Sequence, residues 1–116
     1  RSTFFHEDRI TCVHVDQRDH TSIMQMWATV GNPKVDIVVD DGEHTVQSTI
    51  NFAKHSLPHL KDDGLYFVED IAIRDVGTVV EHLTSFGLAV TTFCFAQPGA
   101  LNKMDGCLLM CRKLPT

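Results

Sequence analysis

The sequence has no apolar run near the roughly 18 residues that suggest a membrane-spanning helix, so membrane insertion by a helix is not expected. It shows no signal-peptide pattern at its start, no internal repeat, no linker and no low-complexity tract. Its 10 Lys and Arg are scattered rather than gathered in a stripe, and 15 Asp and Glu bring the net charge to −5 with His neutral. Such a surface is a poor partner for a phosphate backbone, which argues against nucleic acid. Four cysteines (Cys12, Cys94, Cys107 and Cys111) include no C-x-x-C pair and no zinc-ribbon spacing. All four fall in apolar, strand-like stretches, so the expectation is free, buried thiols and a reducing, cytoplasmic compartment.

What is present is an ordinary globular composition, 43% hydrophobic and 22% charged. At 116 residues the chain is long enough to bury a core yet short for a doubly wound enzyme, and it opens on Arg1. The reading is one partial domain, residues 1–116, of a longer polypeptide.

Periodicity outlines an α/β plan. Residues 10–15 read as a strand opening into a polar loop, and Thr21 caps a helix over 22–30 that Gly31-Asn32-Pro33 stops. Residues 35–39 are nearly continuous apolar, the pattern of a strand buried on both faces of a parallel sheet. An amphipathic helix over 45–60 follows, kinked or ended early by Pro58. Residues 61–64 read as a turn, 65–68 as the next buried strand, and Asp75 as the cap of a helix over 76–86 that ends at Gly87. Residues 88–96 and 106–112, separated by a Pro- and Gly-containing loop at 97–105, read as an antiparallel hairpin at a sheet edge.

Two acidic clusters follow two of these strands: Asp40-Asp41-Gly42-Glu43-His44 and Glu69-Asp70. The C-terminal ends of adjacent parallel strands line one crevice, so the two clusters should converge. Asp41, Glu69 and Asp70 offer carboxylate oxygens of the kind a hard cation such as Mg²⁺ takes, with no Cys to favour zinc. His44, at the start of the following helix, suits a general base. Each cluster taken alone also reads as turn or cap chemistry; their occurrence after consecutive strands favours a site. His55 and His59 are spaced i, i+4 but lack the Glu of H-E-x-x-H, and Pro58 interrupts the helix between them.

The stretch VDIVVDDGEHTVQSTINFAKHSLPHLKDDGLYFVEDI resembles the Mg²⁺-dependent, S-adenosylmethionine-using O-methyltransferases of the macrocin and mycinamicin sugar type. The resemblance spans about residues 10–112 and is most specific at 36–71. It implies a Rossmann-like class I methyltransferase sheet, mostly parallel with an antiparallel C-terminal hairpin, of strand order 3-2-1-4-5-7-6. It further implies that Asp41, Glu69 and Asp70 hold the metal and that His44 is the base. HVDQRD matches the family's G-D-Q-x-D loop, which places Asp16 and Gln17 near the cofactor adenine, and Asp40 is assigned to the cofactor as well. Two positions depart from the pattern: Glu43 replaces a Ser, adding a carboxylate that could crowd or join the metal, and Val15 replaces a Gly.

On the same resemblance the Gly-rich cofactor loop and the first two strands would precede Arg1, and residues 10–15 would be the third strand. The sheet should then carry a gap, leaving either an exposed apolar edge along 35–39 or a rearrangement that pairs 10–15 beside it, and a chain prone to form homo-oligomers. The implied reaction is metal-assisted methyl transfer to a hydroxyl of a sugar or similar polyol. Two other classes compete. A noncatalytic remnant or interaction module would give no heat on titration with S-adenosylmethionine, the outcome expected for these 116 residues alone. A Mg²⁺-dependent phosphoryl-transfer domain would need a cation to meet phosphate, for which Arg74 alone is placed.

Overall fold

A computed structural model describes residues 8–95 and 105–116. Its order is α1 (His20–Thr29), β1 (Val35–Asp40), α2 (Val46–Ser56), β2 (Leu60–Ala72), α3 (Val76–Ser85), β3 (Leu88–Cys94) and β4 (Asp105–Lys113), with single 3₁₀ turns before β2 and before α3. The strands form one mixed sheet of order β1-β2-β4-β3. β1 and β2 are parallel, and β4 inserts antiparallel between β2 and β3. This is the 4-5-7-6 half of the order that the sequence resemblance implies.

Each helix starts where the local chemistry lets it. The Asp19 carboxylate accepts from the Thr21 N–H at 3.0 Å and caps α1, so the cap lies two residues before the Thr21 expected. Thr45 caps α2 through the Ser48 N–H at 3.2 Å. α2 closes at Ser56 because Pro58 cannot donate to the next turn and seats a 3₁₀ turn instead. Asp75 occupies the N-cap position of α3 without a side-chain cap bond. Gly87, at φ 93°, turns the chain out of α3 in the left-handed conformation that glycine adopts without penalty.

The helices cover one face of the sheet. Val38 of β1, Tyr66 and Val68 of β2, and Cys107, Leu109 and Cys111 of β4 are buried there against Ile23 and Trp27 of α1, Phe52 and Ala53 of α2, and Val79 and Leu83 of α3. The indole N–H of Trp27 donates to the buried Ser56 hydroxyl at 3.0 Å, tying α1 to α2. Side chains of the opposite register face away from the helices: Ile37 and Val39 are 56% and 53% exposed. The expectation of a strand buried on both faces therefore fails for β1, because no described element packs on its second face. Nor is 10–15 a strand: Ile10 makes one isolated bridge, and the following residues run without regular pairing to the start of α1. Of the two outcomes considered for the sheet, β1 takes the exposed one.

Two further corrections concern β2 and the cysteines. β2 begins at Leu60, so residues 61–64 are a bulged loop within the strand rather than a turn before it, and Glu69-Asp70 lies inside the strand rather than after it. The antiparallel register sets Cys94 opposite Cys107, and the pair forms a disulfide. Local apolar patterning could not show that pairing, so the expectation of four free thiols holds only for Cys12 and Cys111. The loop predicted at 97–105 falls, apart from Asp105, outside the described residues.

Candidate functional site

β1 and β2 run parallel and adjacent, so their C-terminal ends open on one side of the sheet. From the end of β1 the chain passes through residues 41–44 to the Thr45 cap, which fixes His44 one residue outside α2. His44 has φ 67°, a left-handed conformation uncommon outside Gly, Asn, Asp and His.

β2 reaches the site by a bulge. Val68 pairs with Leu109 and Ile71 with Cys107, so three steps on β2 match two on β4 and one residue is extra. Asp70, at φ 57°, absorbs the irregularity and is turned to solvent, where an uninterrupted strand would have kept the alternation of buried and exposed residues. Arg9, Asn32 and Asp63 share this left-handed backbone elsewhere among the described residues.

Asp41, His44 and Asp70 offer ligand atoms that all lie within 4.8 Å of one another, and all three residues are exposed. His44 Nε2 stands 3.9 Å from Asp41 Oδ1. Glu69, the third expected carboxylate, is half-buried and is not part of this group among the described residues. Without the bulge, strand alternation would have turned Asp70 to the buried face that Val68 occupies. The Asp41 and Asp70 carboxylates supply oxygens that fit a divalent cation, with the His44 imidazole beside them and room at exposed positions for water or substrate oxygens.

Beside this group lies a cleft of about 680 Å³ lined by residues 14–18, residues 39–43 and Phe52. Asp16, Gln17 and Asp40 therefore share one wall system, and Asp41 belongs to both the cleft and the acidic cluster. Arg18 crosses the mouth: its Nε is 3.3 Å from Asp16 Oδ1 and 3.5 Å from Glu43 Oε2. The Arg18 backbone N–H and guanidinium hold the Asp16 carboxyl below the usual carboxylate range. Glu43 is thus occupied by Arg18 and by a 3.3 Å bond from the Thr45 hydroxyl, and it lies outside the acidic group.

Asp40 is only 5% exposed. Burial pushes its carboxyl above the usual range, against the pull of the Gln17 amide, the Gly42 N–H and His44. Its Oδ2 and the phenol oxygen of Tyr66 are both buried without a hydrogen-bond partner among the described residues. Burial, followed by the Asp40 charge, raises the Tyr66 phenol well above its ordinary value. Tyr66 escaped the sequence reading because a Tyr in an apolar strand looks like core; only strand register puts it diagonally across from Asp40.

No family model matches the chain. A demethylmacrocin O-methyltransferase of Streptomyces fradiae is 39% identical over 66 residues, which are 56% of this chain and 16% of that enzyme. An 8-demethyl-8-alpha-L-rhamnosyl tetracenomycin-C 2'-O-methyltransferase of Streptomyces olivaceus is 35% identical over 65 residues, 56% of this chain and 17% of that enzyme. The match spans about a sixth of the length of these curated relatives. Among solved structures, M1.HpyAVI superposes with a TM-score of 0.61 at 16% identity, covering 87% of this chain and 53% of that one. The MycE methyltransferase from the mycinamycin biosynthetic pathway superposes with a TM-score of 0.58 at 17% identity, covering 94% of this chain and 34% of that one. At those identities the likeness concerns the fold alone, a Rossmann-like α/β sheet, here with four described strands in the order β1-β2-β4-β3. Over just over half of its length this chain is thus similar in sequence to a macrocin-type and a tetracenomycin-type O-methyltransferase, and over most of its length it is similar in fold to MycE.

Proposed function

We propose that the full-length protein transfers a methyl group from S-adenosylmethionine to a hydroxyl of a sugar-like small molecule, assisted by a divalent cation. The observation that carries this reading is the meeting of Asp41, His44 and Asp70 within 4.8 Å at the ends of two adjacent parallel strands. Support also comes from the relatives: two matching enzymes are named O-methyltransferases, one of them for a rhamnosyl acceptor. MycE was crystallised with Mg and SAH, and M1.HpyAVI with SAM.

In this reading Asp41 and Asp70 hold the cation, and the cleft lined by Asp16, Gln17 and Asp40 forms one side of the cofactor pocket. The cation, when bound, would supply Lewis-acid stabilisation of negative charge developing on the acceptor oxygen. His44 Nε2, 3.9 Å from Asp41 Oδ1, would take the proton of the acceptor hydroxyl, and S-adenosylmethionine, when bound, would supply the methyl group. Asp41 then has a second task, steadying the imidazolium that proton transfer creates. Glu69 is not part of this group among the described residues, and this reading gives it no ligand role.

The test is turnover of the full-length protein with and without chelator. Asp41→Ala should abolish metal-dependent methylation, and His44→Gln should lower kcat by about 10² to 10⁴. Turnover that survives chelation unchanged would sink the metal-assisted mechanism.

A further inference from the structure

The loop that carries Gln17 and the turn that carries Asp41 and His44 are joined through one side-chain amide. Gln17 Nε2 donates to Asp40 Oδ1 at 2.9 Å, and Gln17 Oε1 accepts from the Glu43 backbone N–H at 2.9 Å. Asp40 Oδ1 also accepts from the Gly42 N–H at 3.1 Å. The residue is anchored through its backbone, because the Gln17 main-chain carbonyl accepts from Asn51 Nδ2 of α2 at 2.8 Å. Gly42 belongs to the same arrangement: a Cβ there would overlap Gln17 Oε1, so only glycine lets the amide come this close.

We propose that Gln17 is a positioning residue for the cation and base group, which it serves by fixing the 40–43 turn. Three features drive the inference. The turn is exposed from Asp41 to His44, so packing does not hold it. It must deliver His44 in a left-handed conformation that a free chain seldom visits. The hydrogen bonds that do hold its backbone, at Gly42 and Glu43, come from Asp40 and Gln17.

Asp40 is the fixed end of the clamp, since it is buried and belongs to β1. Gln17 therefore refers the geometry of an exposed turn back to the sheet and to α2. Loss of the amide frees the Glu43 N–H and lets Asp41 and His44 move relative to Asp70, without removing any ligand atom. This role differs from contact with a cofactor, although the same side chain lines the cleft.

The proposal rests on the cation site proposed above, and the experiment separates the two. Mn²⁺ binding to the full-length protein is followed by electron paramagnetic resonance, and amide hydrogen exchange is read at Glu43. Gln17→Met keeps the side-chain length and removes both hydrogen bonds. It should weaken Mn²⁺ binding by about tenfold, the usual cost of losing a partner that orients a ligand, and should speed Glu43 exchange. Gln17→Glu keeps the acceptor for Glu43 and loses the donor to Asp40, so it should fall between; it also decides the matter if Gln17→Met does not fold. Gly42→Ala, which displaces the amide, should cost as much as Gln17→Met, and the double variant should be within about twofold of either single one. Mn²⁺ affinity unchanged in Gln17→Met and Gln17→Glu, in a protein whose Asp41→Asn variant has lost binding, overturns the positioning role. Wild-type protein that binds no Mn²⁺ overturns the cation site itself and the role built on it.

Discussion

At the scale of single residues the pH response should be led by Asp40. Burial raises its folded-state pKa above the unfolded carboxylate value, so its contribution to stability is fully present below that unfolded value. The contribution is lost as pH rises through the folded pKa. Asp40→Asn cannot ionise and can place an N–H₂ at the buried position of Oδ2, near a Tyr66 oxygen that has no hydrogen-bond partner among the described residues. The melting temperature of Asp40→Asn relative to wild type should therefore climb as pH is raised from the acid range and level off towards neutrality, a trend read by thermal melts across pH. A constant difference at all pH values would refute the assignment. Cys111 follows the same physics: burial pushes its thiol up to about 12, so an alkylating reagent at neutral pH should label Cys12, which is half-buried, well before Cys111. At this scale residue type and position after consecutive strands pointed to Asp41, Glu69 and Asp70 for a cation and to His44 as a base, and of these Asp41, His44 and Asp70 come together. Gln17 as a clamp and Tyr66 as the neighbour of Asp40 were not legible, since both depend on contacts across 23 or more residues or on strand register.

At the scale of elements the β3–β4 hairpin and the β1–α2 junction carry the clearest expectations. The Cys94–Cys107 disulfide closes a loop with a sequence separation of 13 and constrains the unfolded chain more than the folded one. Replacing both cysteines by Ser should cost about 3 kcal/mol in chemical denaturation, and reductant should bring wild type down to the variant. Thr45→Ala removes the side-chain acceptor of the Ser48 N–H and should cost about 1 kcal/mol. Helix starts, the Pro58 stop and the antiparallel hairpin were read within a residue or two from the sequence, because capping and periodicity are local. The bulge at Glu69-Asp70 was not, since nothing in that stretch marks where β4 will fall out of step with β2.

At the scale of the whole molecule the open sheet face dominates. Ile37, Val39, Phe93 and Phe95 are all more than two-fifths exposed, at 56, 53, 41 and 57%, and β1 has an unpaired edge among the described residues. Apolar side chains beside free strand hydrogen-bonding groups invite association. The 116-residue chain prepared alone should self-associate in sedimentation velocity, and Ile37→Lys with Val39→Glu should shift it towards monomer. A monodisperse monomer at high concentration would contradict this expectation. No described helix is long and apolar enough to cross a membrane, in agreement with the hydropathy of the sequence.

The sequence by itself determined the α/β plan, the helix boundaries and the acidic residues that could hold a cation, because each depends on residues within a few positions of one another. The tertiary structure decided which of those residues meet: Asp70 turned out by a bulge, Glu69 left behind, Glu43 taken by Arg18, and two cysteines joined across a strand pair. Those outcomes follow from register and from contacts between distant segments, and a one-residue change in either would present a different set of side chains without altering the local pattern.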